Sequence, residues 1–446
     1  MTATGRVAPD ETYLLPTSFV QRGVWDVARL APRHAVLAVP EALRLKGKLD
    51  RTALRRALDE LVRRHESLRS TFREADGELV AEVHAHAEVE LERAGPVPAP
   101  DGPLEEAPAP PELTHAPLLR VRLFELGHDD HVVLVVSHLM VYDAASRDIL
   151  TRELGLLYRA YALGTDPALP PLPFQYADVA NWQNDSIARG AYSGQLHHWR
   201  RVLAGLPRPS LPGSPGADRF AAQVHRGRLD EPLLAAATES GRSSDASLFM
   251  VLLSVYHALL AGIGGSADFA IGTPVLCRDR PEFQGIVGRF VNHVAIRAES
   301  TSDTRFAALL SRVRRASLDA FAHRDLPLEY LQAQLLPGTA STDDPWFRAT
   351  FVLHSPAAGE LTLPGLSIAR HPVSRAAARY DLELHVWPTG DGAEVQLLRR
   401  TGVLSAATGD RLAAGFAEAV RAAVTDPARP VGELGSRLAP RKENDR

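Results

Sequence analysis

HVVLVVSHLMVYDAASRDILTRELGLLYRAYA, residues 131–162, is the stretch on which the reading of the fold turns. It opens with an unbroken apolar run, Val132 to Val136, breaks at Ser137-His138 and reaches a lone carboxylate, Asp143. Ile149, Leu150, Leu154, Leu157 and Tyr158 then recur at three- and four-residue spacings until Gly164 and Pro167 close the pattern. A short apolar run followed by a long periodic one predicts a buried strand, a turn and a helix. Polar side chains at the end of a buried strand are well sited for chemistry. If the strand continues through Leu139, its neighbours face opposite sides, and an inward Leu139 turns His138 away. Asp143 is suited to cap the helix that follows.

The flanking sequence repeats this grammar. Ser18 is a cap for a helix with Val20, Val24 and Val27 on one face. Asp50 caps a second helix carrying Leu54, Leu58, Leu61 and Val62. Glu78 to Val83 and Leu118 to Leu126 alternate as strands, and the proline-rich segment 94–113 between them predicts a surface connection. Ser244 to Ile263 is apolar nearly all round, which predicts a buried helix with His257 as a hydrogen-bonded core residue. Strands are expected at 271–275, 287–293 and around Phe351 and Leu382, with a closing helix from about Ser405 to Val424. Mobile ends are expected at 1–12 and 426–446. Two lobes, 13–180 and 181–425, are expected, with their boundary in the 175–220 region, where a proline-rich stretch interrupts the chain.

Composition excludes several classes. A net charge of −4 over 50 basic and 54 acidic side chains, with no basic stripe bearing aromatics, argues against a nucleic-acid partner. The single cysteine, Cys277, rules out an internal disulfide and a cysteine-based zinc site, and fits a cytoplasmic protein. It would act as a nucleophile only if exposed and activated. His197 and His198 are helical neighbours pointing about 100° apart, so no metal site is expected there. No apolar run reaches the roughly 18–20 residues of a membrane span, and the N-terminus has no secretory core.

The 138–146 segment resembles the His-His-x-x-x-Asp-Gly motif, with a Ser two residues on, of the condensation domains of nonribosomal peptide synthetases. These belong to the chloramphenicol-acetyltransferase-like acyltransferases. Fixing the register on Asp143 and Ser146 puts the first His on His138 and the Gly on Ala144. The second, catalytic His falls on Leu139. Further segments resemble the family in order: Ser18, Gln21 and Trp25; Arg64-His65-Glu66-Ser67-Leu68-Arg69; the stretch from Phe174 to Trp182; Gly272-Thr273-Pro274; Gly288 with Phe290-Val291-Asn292; and His323-Arg324-Asp325-Leu326-Pro327. His293 stands where the family has Thr. For the Arg64–Phe72 segment a packing role is favoured over a catalytic one.

The resemblance implies an α/β fold of two chloramphenicol-acetyltransferase-like lobes in a V with a central tunnel. It implies the motif positions His138, Leu139 and Asp143 at the catalytic centre, with Asp143 in a structural pair with Arg278. Tyr142, Ser146, Asn292, His293 and Trp182 become tunnel or substrate candidates. No bound cofactor or metal is implied; the substrate tether is the phosphopantetheine arm of an acyl or peptidyl carrier protein met in trans, with a small-molecule or carrier-bound nucleophile. A cytoplasmic monomer is expected.

Leu139 has neither lone pair nor charge and cannot deprotonate a nucleophile as a neutral imidazole can. Tyr142, with an ordinary pKa of about 10, is a poor substitute base. Rescue by His293 is disfavoured because it alternates with Asn292 on one strand. Two functions follow. The favoured one is a stand-alone condensation-like acyltransferase of natural-product biosynthesis that forms an amide or ester from a carrier-bound acyl thioester. Proximity and orientation, worth about 7–11 kcal/mol, then replace the base. The alternative is an inactive condensation-fold platform that recruits carrier proteins or tailoring enzymes.

Overall fold

A computed structural model describes residues 12–94, 104, 108–208, 210–264, 266–339, 342, 345–355, 361–371, 373 and 377–436. Of the mobile ends expected at 1–12 and 426–446, residues 1–11 and 437–446 lie outside the described residues, as does most of the proline-rich connection 94–113. The chain forms two compact units, each gathered from three segments. The first takes 1–191, 277–291 and 357–375; the second takes 192–276, 292–356 and 376–446.

In the first unit the strand Asp130–His138 lies between two antiparallel neighbours, Ala38–Gly47 and Leu119–Gly127. Consecutive residues Val132, Val133 and Leu134, and Val136, are all buried, so both faces of the strand are covered, which is why the run is apolar without alternation. Leu366–His371 and Leu91–Ala94 complete this sheet at its edges. A smaller sheet joins Tyr13–Pro16, Glu78–Val83 and Ser70–Ala75.

The helix Ala144–Ala162 packs on the helix Arg51–Arg64. Leu54, Leu58, Leu61 and Val62 of the latter are buried, and each such side chain contributes about 1.5–3 kcal/mol. Asp50 caps that helix by accepting from the Ala53 N–H at 2.9 Å, while its own N–H donates to the Tyr158 hydroxyl at 3.0 Å. Ser18 caps the helix Phe19–Leu30 in a reciprocal box with Gln21.

The second unit is built on a mixed sheet in the order Val291–Glu299, Asp268–Leu276, Ala349–Leu353, Leu382–Thr389, Gly392–Arg400 and Ala222–Asp230. Against it lies the helix Leu248–Gly264, buried nearly all round from Met250 to Leu260. His257 is a core residue there: Nε2 is 3.0 Å from the Ala298 carbonyl, and the ring stacks on Phe269 at 4.1 Å. The helix Ala406–Thr425 closes the unit.

The structure departs from the sequence reading in three ways. The strand expected over 287–293 begins only at Val291, because the backbone of Gly288 and Phe290 is bonded to the side chains of Ser146 and Asp143 rather than to a neighbouring strand. Leu139–Val141 forms a 3-10 turn, so the alternation argument ends at His138. From Asp426, where composition predicts a mobile tail, the chain instead forms the helix Val431–Ser436 with Val431 and Leu434 buried. That helix crosses Leu248–Gly264 so closely that a Cβ on Gly435 would lie 2.8 Å from the Gly262 Cα. Among the described residues no helix is long and apolar enough to cross a membrane.

Candidate active site

Asp143, Ser146 and the residues bonded to them, Arg278, Gly288 and Phe290, all belong to the first unit. Asp143 is the N-cap of Ala144–Ala162: Oδ1 accepts from the Ser146 N–H at 2.7 Å. The same oxygen is 3.0 Å from Arg278 Nη2, and Oδ2 accepts from the Phe290 N–H at 3.0 Å. The Asp143 and Arg278 side chains are 0% and 8% exposed, so the pair is buried. Arg278 Nη1 donates to the carbonyls of Phe283 and Ile286, and its guanidinium lies 3.7 Å from the Phe290 ring centroid.

Ser146 completes this knot. Its Oγ lies 2.8 Å from Asp143 Oδ1 and 2.9 Å from the Gly288 carbonyl, and accepts from the Gly288 N–H at 3.0 Å. Its hydrogen-bonding capacity is therefore committed to the frame rather than to a substrate. Nearby, the Tyr176 hydroxyl donates to the Arg289 carbonyl and lies 2.9 Å from Ser18 Oγ. A Cβ on Gly288 would come 2.0 Å from the Tyr176 ring, so this loop position tolerates only glycine. Sequence reasoning did not single out Tyr176 or Gly288 as parts of the frame. The signal was Gly288 in a loop beside the bulky Phe290, but its partner lies more than a hundred residues away.

His138 is fully buried at the end of its strand. Nδ1 accepts from the Met140 N–H at 2.9 Å, which puts the ring proton on Nε2, and Nε2 has no partner among the described residues. Burial lowers the imidazole pKa to about 3. With one nitrogen occupied by a backbone donor and the other carrying its proton, the ring cannot accept a proton from a nucleophile. Leu139 is half-buried on the following turn. Tyr142 is buried, and its hydroxyl is pushed well above the ordinary value by burial and then by the Glu41 carboxylate. It is no base either.

The remaining candidates divide between the units. Trp182, in the first, takes the Arg280 guanidinium 4.2 Å over its ring and meets the Phe283 ring edge-on at 5.7 Å. Cys277 is half-buried, with its N–H donating to the Phe290 carbonyl. Asn292, in the second, donates to the carbonyls of Arg324 and Leu326 and accepts from the N–H groups of His293 and Leu328. Its amide is thus fully occupied in holding the 324–328 segment, and is not available to a substrate. The His293 ring sits 5.6 Å from that of Tyr380.

His65, in the segment read as packing, is buried with Nε2 2.8 Å from Glu153, which also accepts from Arg64 at 3.1 Å. Burial pushes the Glu153 carboxyl up, but His65 and then Arg64 outweigh it and hold it below the usual range. Among the described residues no group of three His, Cys, Asp or Glu side chains is disposed to hold a metal ion. His198 instead stacks on His323 at 3.6 Å.

Residues 11–444 match the model of the Condensation domain family. The chain is 33% identical over 436 residues to a linear gramicidin synthase of Brevibacillus parabrevis, covering 94% of this chain and 6% of that protein. It is 32% identical over 452 residues to a dimodular nonribosomal peptide synthase of Bacillus subtilis, covering 96% of this chain and 19% of that one. The chain thus spans only a small part of the length of these curated relatives. Among solved structures, the X-domain from teicoplanin biosynthesis superposes with a TM-score of 0.86 at 26% identity, over 96% of this chain and 99% of that one. The X-domain in its complex with OxyB, also from teicoplanin biosynthesis, gives 0.84 at 26% identity over 97% and 99%. The mixed α/β architecture is of the chloramphenicol-acetyltransferase-like class, and the chain belongs to the condensation-domain family.

Proposed function

We propose that this protein is a condensation-fold binding platform that recruits a tailoring enzyme or a carrier protein in nonribosomal peptide biosynthesis. One observation carries the reading: the motif holds no imidazole free to accept a proton, and its one carboxylate, Asp143, is committed to Arg278, Ser146 and Phe290. Leu139 stands at the position of the base, and His138 has one ring nitrogen engaged by the Met140 N–H while burial lowers its pKa to about 3. General base catalysis is worth about 10²–10⁴-fold, and its loss leaves a condensation reaction without its principal side-chain contribution. The likeness to an X-domain solved with OxyB supports a role in which the fold is kept for binding.

A second reading is favoured by the intact frame of Asp143, Arg278, Ser146 and Gly288. It is an acyltransferase that relies on orientation to join a carrier-bound acyl thioester to an amine or hydroxyl that arrives uncharged. One experiment separates the two. Purified protein is incubated with an acyl-loaded carrier protein and candidate amines, and products are followed by mass spectrometry, with binding of the carrier and of a tailoring enzyme measured in parallel. The platform reading expects binding, with product at the protein-free rate. Product above that rate, abolished by Leu139→Trp, overturns it in favour of the acyltransferase.

A further inference from the structure

The second unit contains a cleft of about 520 Å³, within the size range of small-molecule sites. The helix Ser193–Leu203, the strand Val291–Glu299 and the helix Phe306–Ala322 wall it. Buried Ala295, Ala298 and Ala320 give it an apolar floor. Its rim is charged and unbalanced: Arg201, Arg297, Arg312 and Arg315 stand against Glu299 and Asp319.

These arginines are not equivalent. Arg297 serves the fold, with its guanidinium forked on Asp268 at 2.9 and 2.5 Å and bonded to the Val202 carbonyl. Arg312 spends one N–H on the Glu299 carbonyl at 2.7 Å. Arg201 and Arg315 are exposed and have no hydrogen-bond or ion-pair partner among the described residues. His198, in the wall and stacked on His323, has its pKa held below the ordinary value by burial, then by His323 and Arg201.

We propose that this cleft binds an organic phosphate monoester, with the phosphate at Arg201, Arg312 and Arg315 and an apolar body on the alanine floor. A carboxylate is satisfied by one guanidinium fork, whereas a phosphate dianion offers three oxygens and accommodates several. Glu299 and Asp319 on the same rim repel a bare anion, so apolar contact has to supply part of the affinity. This site lies wholly within the second unit and owes nothing to the reading of the altered motif.

The test uses the full chain and calorimetric titration at low salt with four probes: phenyl phosphate, inorganic phosphate, phenol and benzoate. Phenyl phosphate is expected to bind more tightly than the other three. Its affinity should fall at least about tenfold in Arg201→Gln/Arg315→Gln and weaken steeply as salt shortens the screening length. Both arginines are exposed and unpartnered, so the variant should melt with the wild type. As a check that needs no variant, wild-type methyl resonances of Ala295, Ala298 and Ala320 should shift with phenyl phosphate. Unchanged affinity in the variant, unshifted floor methyls, or benzoate binding as well as phenyl phosphate would overturn the proposal.

Discussion

Arg278 Nη2 lies 3.0 Å from Oδ1 and 3.2 Å from Oδ2 of Asp143, a buried pair joined across 135 positions of sequence. The pair fastens the 277–291 segment to the start of the helix Ala144–Ala162, and three further bonds, two between Ser146 and Gly288 and one from the Phe290 N–H to Asp143, share the load. Its role is architectural, and it sets the first prediction.

Arg278→Ala should destabilise the fold by about 3–5 kcal/mol, because it leaves the Asp143 carboxylate buried without its cation. Arg278→Lys should recover only part of this, since a single ammonium cannot reach Asp143 and the Phe283 and Ile286 carbonyls together. Urea denaturation midpoints measure both. An Arg278→Ala protein as stable as wild type would show that the pair is dispensable.

Gly288→Ala should cost about 1–3 kcal/mol, since the new methyl collides with the Tyr176 ring. The cost should shrink in a Tyr176→Leu background, where the obstructing ring is gone. A double-mutant cycle on thermal melts reads that coupling, and additivity would mean that the loop yields elsewhere.

His138 contributes to pH dependence with a definite sign. Its folded pKa of about 3 lies below the ordinary value of about 6.5, so the unfolded chain binds the extra proton between these limits. Its share of stability is complete above the upper limit and is lost as pH falls toward the lower one, by up to about 1.4 kcal/mol per pH unit. His257, lowered to about 4 by burial, acts in the same direction. Subtracting the stability profile of His138→Gln from that of wild type between about pH 4 and 7 should isolate the His138 slope. A flat difference would refute it.

Ending the chain at Thr425 should lower the melting temperature, because it removes Val431 and Leu434 from the core of the second unit. Burial of two aliphatic side chains is worth about 3–6 kcal/mol. Gly262→Val should mimic the truncation in part by pushing Gly435 away. Calorimetry of the truncated chain provides the measure, and an unchanged melt would mean that the helix Val431–Ser436 adds nothing.

Local sequence determined much of this protein by itself. The unbroken run Val132 to Val136, the caps at Ser18 and Asp50 and the helical stripe of Leu54, Leu58, Leu61 and Val62 act over one strand or a few turns, where period and capping chemistry are sufficient. The replacement at Leu139 is likewise plain in the chain, since a missing imidazole needs no coordinates.

Only the tertiary structure decided which atoms of His138 are free, how Ser146 and Asn292 spend their hydrogen bonds, and that Gly288 lies under Tyr176. It also decided that 277–291 joins a unit formed mainly by the first 191 residues. For Ser146, Asn292 and the 277–291 segment the physical reason is shared: buried polar groups must find partners, and here those include backbone atoms far away in sequence, which no local pattern encodes. For Gly288 the distant atoms are those of a ring it must pack against, and for His138 it is burial by the folded unit.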